Sequence, residues 1–114
     1  MDKNVRILIV EDEFVTLDLL RDYLEESGYE VSGDAMSADE AIKILEKGET
    51  DFAMLDINIK GDKNGIWVAE QIQKKYKMLM VKFLSENGLS FRNIMTFYLN
   101  KIAGFQIFNN HITS

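Results

Sequence analysis

Proline is absent from this chain, where about five would be ordinary for its length. Its turns must therefore be made by glycine, asparagine and aspartate. Cysteine is absent too, which excludes disulfides and thiolate chemistry. The single histidine, His111, lies near the C-terminus, and we assign it no metal role. No apolar run is long enough to span a bilayer, and the start "MDKNVRILIV" meets two acids where a signal peptide would continue. Basic clusters are missing as well. The formal net charge is −6, which argues against nucleic acid or an anionic membrane as a direct partner. The 114 residues, 46% of them hydrophobic, suit one small domain with a real core, expected over residues 1–114 and in the cytoplasm.

What is present alternates. "VRILIV" is nearly continuous in apolar residues, as a strand covered on both faces should be. "FVTLDLLRDYLEESG" has helical spacing, with Leu17, Leu20 and Leu24 on one stripe and Gly28 as a stop signal. "YEVSG" is a short strand. "SADEAIKILEKG" opens with a capping box, Ser37 and Glu40, and stops at Gly48. "DFAML" is a third strand, "GIWVAEQIQKKY" a helix and "MLMVKFL" a fourth strand. "LSFRNIMTFYLNK" is expected as a fourth helix and "GFQIF" as a fifth strand. Strands alternating with helices of this length imply a mainly parallel sheet covered on both faces. In such α/β sheets, sites form beyond the carboxyl ends of the strands, where strand order reverses.

Three acids stand at those ends. Glu11 and Asp12 follow the first strand and Asp56 the third. Taken singly, each reads as a solvated loop residue. If the strands are neighbours, the three carboxylates share one small space, and their charges need a cation. An all-oxygen donor set without His or Cys favours Mg²⁺ or Mn²⁺. Asn58 is placed to add a backbone carbonyl. Glu13 reads equally as a member of the cluster or as a first-turn helix residue.

"ILIVEDE", "FAMLDINIKGDKNGI" and "VKFLSENG" together resemble the receiver domain of two-component response regulators, from Arg6 to about Asn110. The "KGDKNGI" loop is similar to a subgroup reading Gly-Asp-x-x-Gly after the phosphorylated Asp. The resemblance implies a doubly wound five-stranded parallel sheet of order 2-1-3-4-5. It implies Asp56 as phosphoryl acceptor, Glu11 and Asp12 as metal-holding residues, Ser85 as the hydroxyl that follows the phosphoryl group, and Phe105 as the aromatic that turns inward with it. It also implies a sensor histidine kinase or phosphotransfer protein as donor, and a homodimer across the fourth-helix to fifth-strand face, where "FRNIMTFYL" is apolar.

Two departures stand against it. The family places a Lys followed by Pro at the end of the fifth strand; here Phe108 and Asn109 occupy those positions. The family's fifth helix has no counterpart in "NHITS". A fragment of a larger protein, a partner filling the gap, or a decayed tail would each explain the short end. Lys82, inside an apolar strand, is read as a mark of an exposed patch rather than as catalytic. Trp67 is read as packing against the sheet. The leading expectation is a phosphorylatable receiver. Its competitors are a degenerate receiver-like interaction module and a metal-dependent hydrolase. Many small phosphatases carry a second Asp two residues after the nucleophile; Asn58 stands there, which argues against turnover of outside substrates. No DNA-binding domain is expected in this stretch.

Overall fold

The computed structural model describes residues 5–76 and 78–83. Four strands form one parallel sheet: β1 (Arg6–Val10), β2 (Glu30–Ala35), β3 (Phe52–Asp56) and β4 (Leu79–Phe83), in the order β2-β1-β3-β4. Between them run α1 (Phe14–Glu26), α2 (Ala38–Glu46) and α3 (Gly65–Gln71), the last continuing into a wide π-type turn over Ile72–Tyr76. The four-strand order agrees with the expectation.

The strand alternation explains the layers. Ile7 and Ile9 of β1 and Met54 of β3 face α1, where they pack on Leu17, Leu20 and Leu24. Leu8 and Val10 of β1 and Leu55 of β3 face the other way, against Ala41 and Leu45 of α2 and Val68 and Ala69 of α3. Both faces of the central strands are therefore dry, which is why β1 and β3 read as unbroken apolar runs.

The helix ends follow the local signals. Gly28 takes a positive φ of 91° just beyond α1, and its N–H closes onto the Glu25 carbonyl. At α2 the Ser37 hydroxyl accepts from the Glu40 N–H at 3.2 Å. The reciprocal arm differs from a standard box, because Glu40 accepts from the Met36 N–H rather than from that of Ser37. α3 is shorter than its sequence suggests, with helical "IQKKY" widened into the π-type turn. Its start is fixed by Asn64, whose side chain accepts from the Trp67 N–H at 3.0 Å. Trp67 is half-buried against the α2–α3 core, as expected, and Lys63 Nζ lies 4.5 Å from its ring centroid.

Lys82 pairs in register with Leu55 on β4. The fourth helix, the fifth strand and residues Ser85, Phe105, Phe108, Asn109 and His111 lie outside the described residues.

Candidate functional site

The sheet reverses its winding between β1 and β3. From β1 the chain leaves to β2 on one side, then crosses to β3 on the other. The loops at that point diverge and leave a cleft above the strand ends. Val10 pairs with Leu55, so one residue further on Glu11 stands level with Asp56. Glu11, Asp12 and Asp56 each offer a carboxylate oxygen, and these atoms lie within 4.8 Å of one another.

Each acid is held by backbone. Glu11 donates its own N–H to the Ala35 carbonyl at 2.9 Å, which extends β1 by one residue towards β2. Its Oε1 accepts from the Glu13 N–H at 3.0 Å. Asp56 Oδ1 accepts from the Asn58 N–H at 2.9 Å. Asp12 Oδ2 accepts from the Lys60 N–H at 2.8 Å, joining the loops that follow β1 and β3. Glu13 stands outside the cluster: it is exposed, precedes α1, and accepts from the Thr16 hydroxyl.

Glu11 and Asp56 are fully buried, whereas Asp12 is half-buried. Among the described residues, two buried side-chain oxygens lack a hydrogen-bond partner, Glu11 Oε2 and Asp56 Oδ2. Two donorless carboxylate oxygens inside one protein pocket are costly unless a proton or a cation joins them. Accordingly Glu11 is raised from the ordinary carboxylate range to about 8, first by burial and then by the close Asp56 carboxyl, with the Glu13 N–H opposing. A small hard divalent cation fits this donor set: only oxygens, converging, with two of them unsatisfied. Glu11, Asp12 and Asp56 are the side chains that would hold it.

Gly65 is a residue that composition alone does not single out. It sits at the first position of α3, directly behind the acid-bearing end of β3. A Cβ there would lie 2.7 Å from Ile57 Cα and would run into the Asp56 carbonyl oxygen. The final Gly of "KGDKNG" thus lets α3 start against the backbone that carries Asp56. The motif's own spacing is the signal that finds it. The other loop glycine, Gly61, has a φ of 120° and open space around it.

Comparison with known proteins agrees with this geometry. Residues 7–106 match the family described as the response regulator receiver domain. The chain is 39% identical over 59 residues to the transcriptional regulatory protein YvrH of Bacillus subtilis; that match covers 52% of this chain and 25% of the relative. The chain thus aligns with about a quarter of that relative's length. Among solved structures it resembles the signal receiver domain of a modulated diguanylate cyclase from Desulfovibrio desulfuricans G20. That likeness has a TM-score of 0.69 and 26% identity, over 76% of this chain and 69% of that one. It also resembles the response regulator domain of Thermotoga maritima CheB, with a TM-score of 0.64 and 27% identity over 77% and 67% of the two chains. With the four-strand order, the acidic cluster at the switch point and a family match over residues 7–106, this chain belongs to the response regulator receiver domain family.

Proposed function

We propose that this protein is a phosphorelay switch that accepts a phosphoryl group on Asp56. The observation that carries the reading is the pair of donorless buried oxygens, Glu11 Oε2 and Asp56 Oδ2, in a three-carboxylate pocket at the switch point. Asp56 Oδ1 is committed to the Asn58 N–H, so Oδ2 is the free nucleophile. It attacks phosphorus; the bond from phosphorus to the donor's imidazole nitrogen breaks, and that nitrogen keeps the electron pair. With the ring's other nitrogen carrying a proton before transfer, the imidazole leaves neutral; an aspartyl phosphate results, and water later cleaves the acyl phosphate. Bound Mg²⁺ or Mn²⁺ supplies charge neutralisation of the attacked phosphoryl group. Glu11 and Asp12 would hold that cation with Asp56, and the Asn58 carbonyl would be a further ligand. The chemistry is self-modification and slow self-hydrolysis, not metabolic turnover.

The donor is a phosphohistidine on a sensor histidine kinase or phosphotransfer protein. Ser85 serves as the switch hydroxyl and Phe105 as the aromatic that responds to it. "GFQIF" supplies a fifth strand beside β4, completing order 2-1-3-4-5 in a single domain over residues 1–114. The face from the fourth helix to that strand forms a homodimer, and the protein works in the cytoplasm, where a chain without cysteine forgoes nothing.

A second reading is favoured by one sequence feature. Phe108 stands where the family carries a Lys, and its loss suits a receiver-like interaction module that no longer signals through phosphate. Incubation with Mg²⁺ and acetyl phosphate, read by intact mass, separates the two. A gain of about 80 Da, absent from Asp56→Asn, is the expected result. A folded, Mg²⁺-binding protein that gains nothing would establish the second reading.

A further inference from the structure

The acidic pocket must take up an anion carrying roughly two further negative charges. Among the described residues no ion pair reaches it: Arg6 pairs with Asp51, Arg21 with Asp18 and Asp34, and Lys63 with Asp39. Lysines 43, 74 and 75 lie in the last turns of α2 and of the extension of α3, at the far end of the sheet from the site. Lys63, though in the right loop, is turned onto the Trp67 ring and Asp39.

Lys60 is different. Its backbone N–H is 2.8 Å from Asp12 Oδ2, so its Cα stands at the mouth of the pocket. Its side chain is exposed and makes no hydrogen bond or ion pair with the described residues. Gly61 beside it adds no bulk, and nothing lies within 4 Å of where a Cβ would be. A flexible four-carbon stem can carry an ammonium from that position over the opening.

We propose that the Lys60 ammonium binds the phosphoryl group during its transfer to Asp56, supplying the positive charge that Phe108 does not. This rests on the phosphoacceptor reading above. In the step with acetyl phosphate, Asp56 Oδ2 forms the new bond to phosphorus, the bond from phosphorus to the acetyl oxygen breaks, and acetate leaves with the electron pair. Lys60 gains and loses no proton.

The test uses the absence of native cysteine. Lys60→Cys keeps the backbone N–H that holds Asp12 but removes the charge. Alkylation with 2-bromoethylamine then restores an ammonium on a stem of equal length, at that one position. Asp56-dependent adduct formation from acetyl phosphate is timed by intact mass at saturating Mg²⁺. The expected rate falls about tenfold in Lys60→Cys, returns to within about twofold of the native rate after alkylation, and is unchanged in Lys63→Ala. The deficit should shrink with added salt as the site's field is screened. A native rate in Lys60→Cys, or a slow rate that alkylation leaves slow, overturns the role of Lys60 while Asp56 remains the acceptor. No adduct on the native protein overturns both proposals.

Discussion

Gly65 and Asp56 belong to different elements, yet no side chain could stand between them. The Cβ of any other residue at 65 would press on Ile57 Cα and on the Asp56 carbonyl, both backbone and both unable to yield by rotating. We expect Gly65→Ala to cost at least about 2 kcal/mol in urea unfolding, at the upper part of the range for overpacking. Because the clash is with the residue that carries the carboxylate, the variant's Mg²⁺ affinity should fall too. Gly61→Ala is the comparison. It meets no neighbour but must hold a φ of 120°, so a smaller loss of about 1 kcal/mol should come from backbone strain alone. Equal losses in the two variants would remove the close approach as the explanation. This contact was not legible as a contact in the sequence, because it depends on where a helix begins relative to a strand. The glycine's place in the loop motif was legible.

At the scale of elements, local chemistry decided more than tertiary packing. The apolar runs, the Leu17, Leu20 and Leu24 stripe, and the stops at Gly28 and Gly48 all stand where their patterns put them. Ser37 caps α2, and Ser37→Ala should cost about 1 kcal/mol in thermal or urea unfolding. The redirected arm of Glu40, bonded to Met36 N–H, survives that change and limits the loss. Glu40→Ala alone should therefore destabilise measurably, and a double variant should lose roughly the sum, since the two side chains satisfy different N–H groups. The widened turn after Gln71 had no such signal. "IQKKY" contains no Gly or Pro, and its residues are sound helix formers, so nothing local forecasts a π-type turn. The cap by Asn64 was likewise obscured by the Gly and Asp around it, any of which suits a turn.

For the whole molecule, the central fact is that the fold brings carboxylates together in a chain already at net charge −6. The acids at the ends of strands were legible; that those strands are neighbours was implied only by the family resemblance, and the observed order β2-β1-β3-β4 bears it out. The burial of the carboxylates and their missing donors were not legible, since both depend on how closely β1, β3 and the loops above them pack. Folding thus holds a proton on Glu11 that the unfolded chain has released, across the window from the ordinary carboxylate value up to about 8. In that window rising pH favours the unfolded state. Without divalent cations the melting temperature should therefore fall as pH is raised from about 5 to about 8. Mg²⁺ competes with the same proton, so its affinity, and the stabilisation it brings by mass action, should grow over the same range. Glu11→Gln removes the titrating group but keeps its volume. It should flatten most of the melting profile, raise the metal-free stability near pH 8, and weaken Mg²⁺ binding at every pH. Thermal melts with and without 10 mM Mg²⁺, a concentration of the order needed to exceed the affinity of a weak oxygen-ligand site, would show all three effects. A metal-free profile that rises with pH, or one that Glu11→Gln leaves as steep as before, would place the proton elsewhere in the molecule.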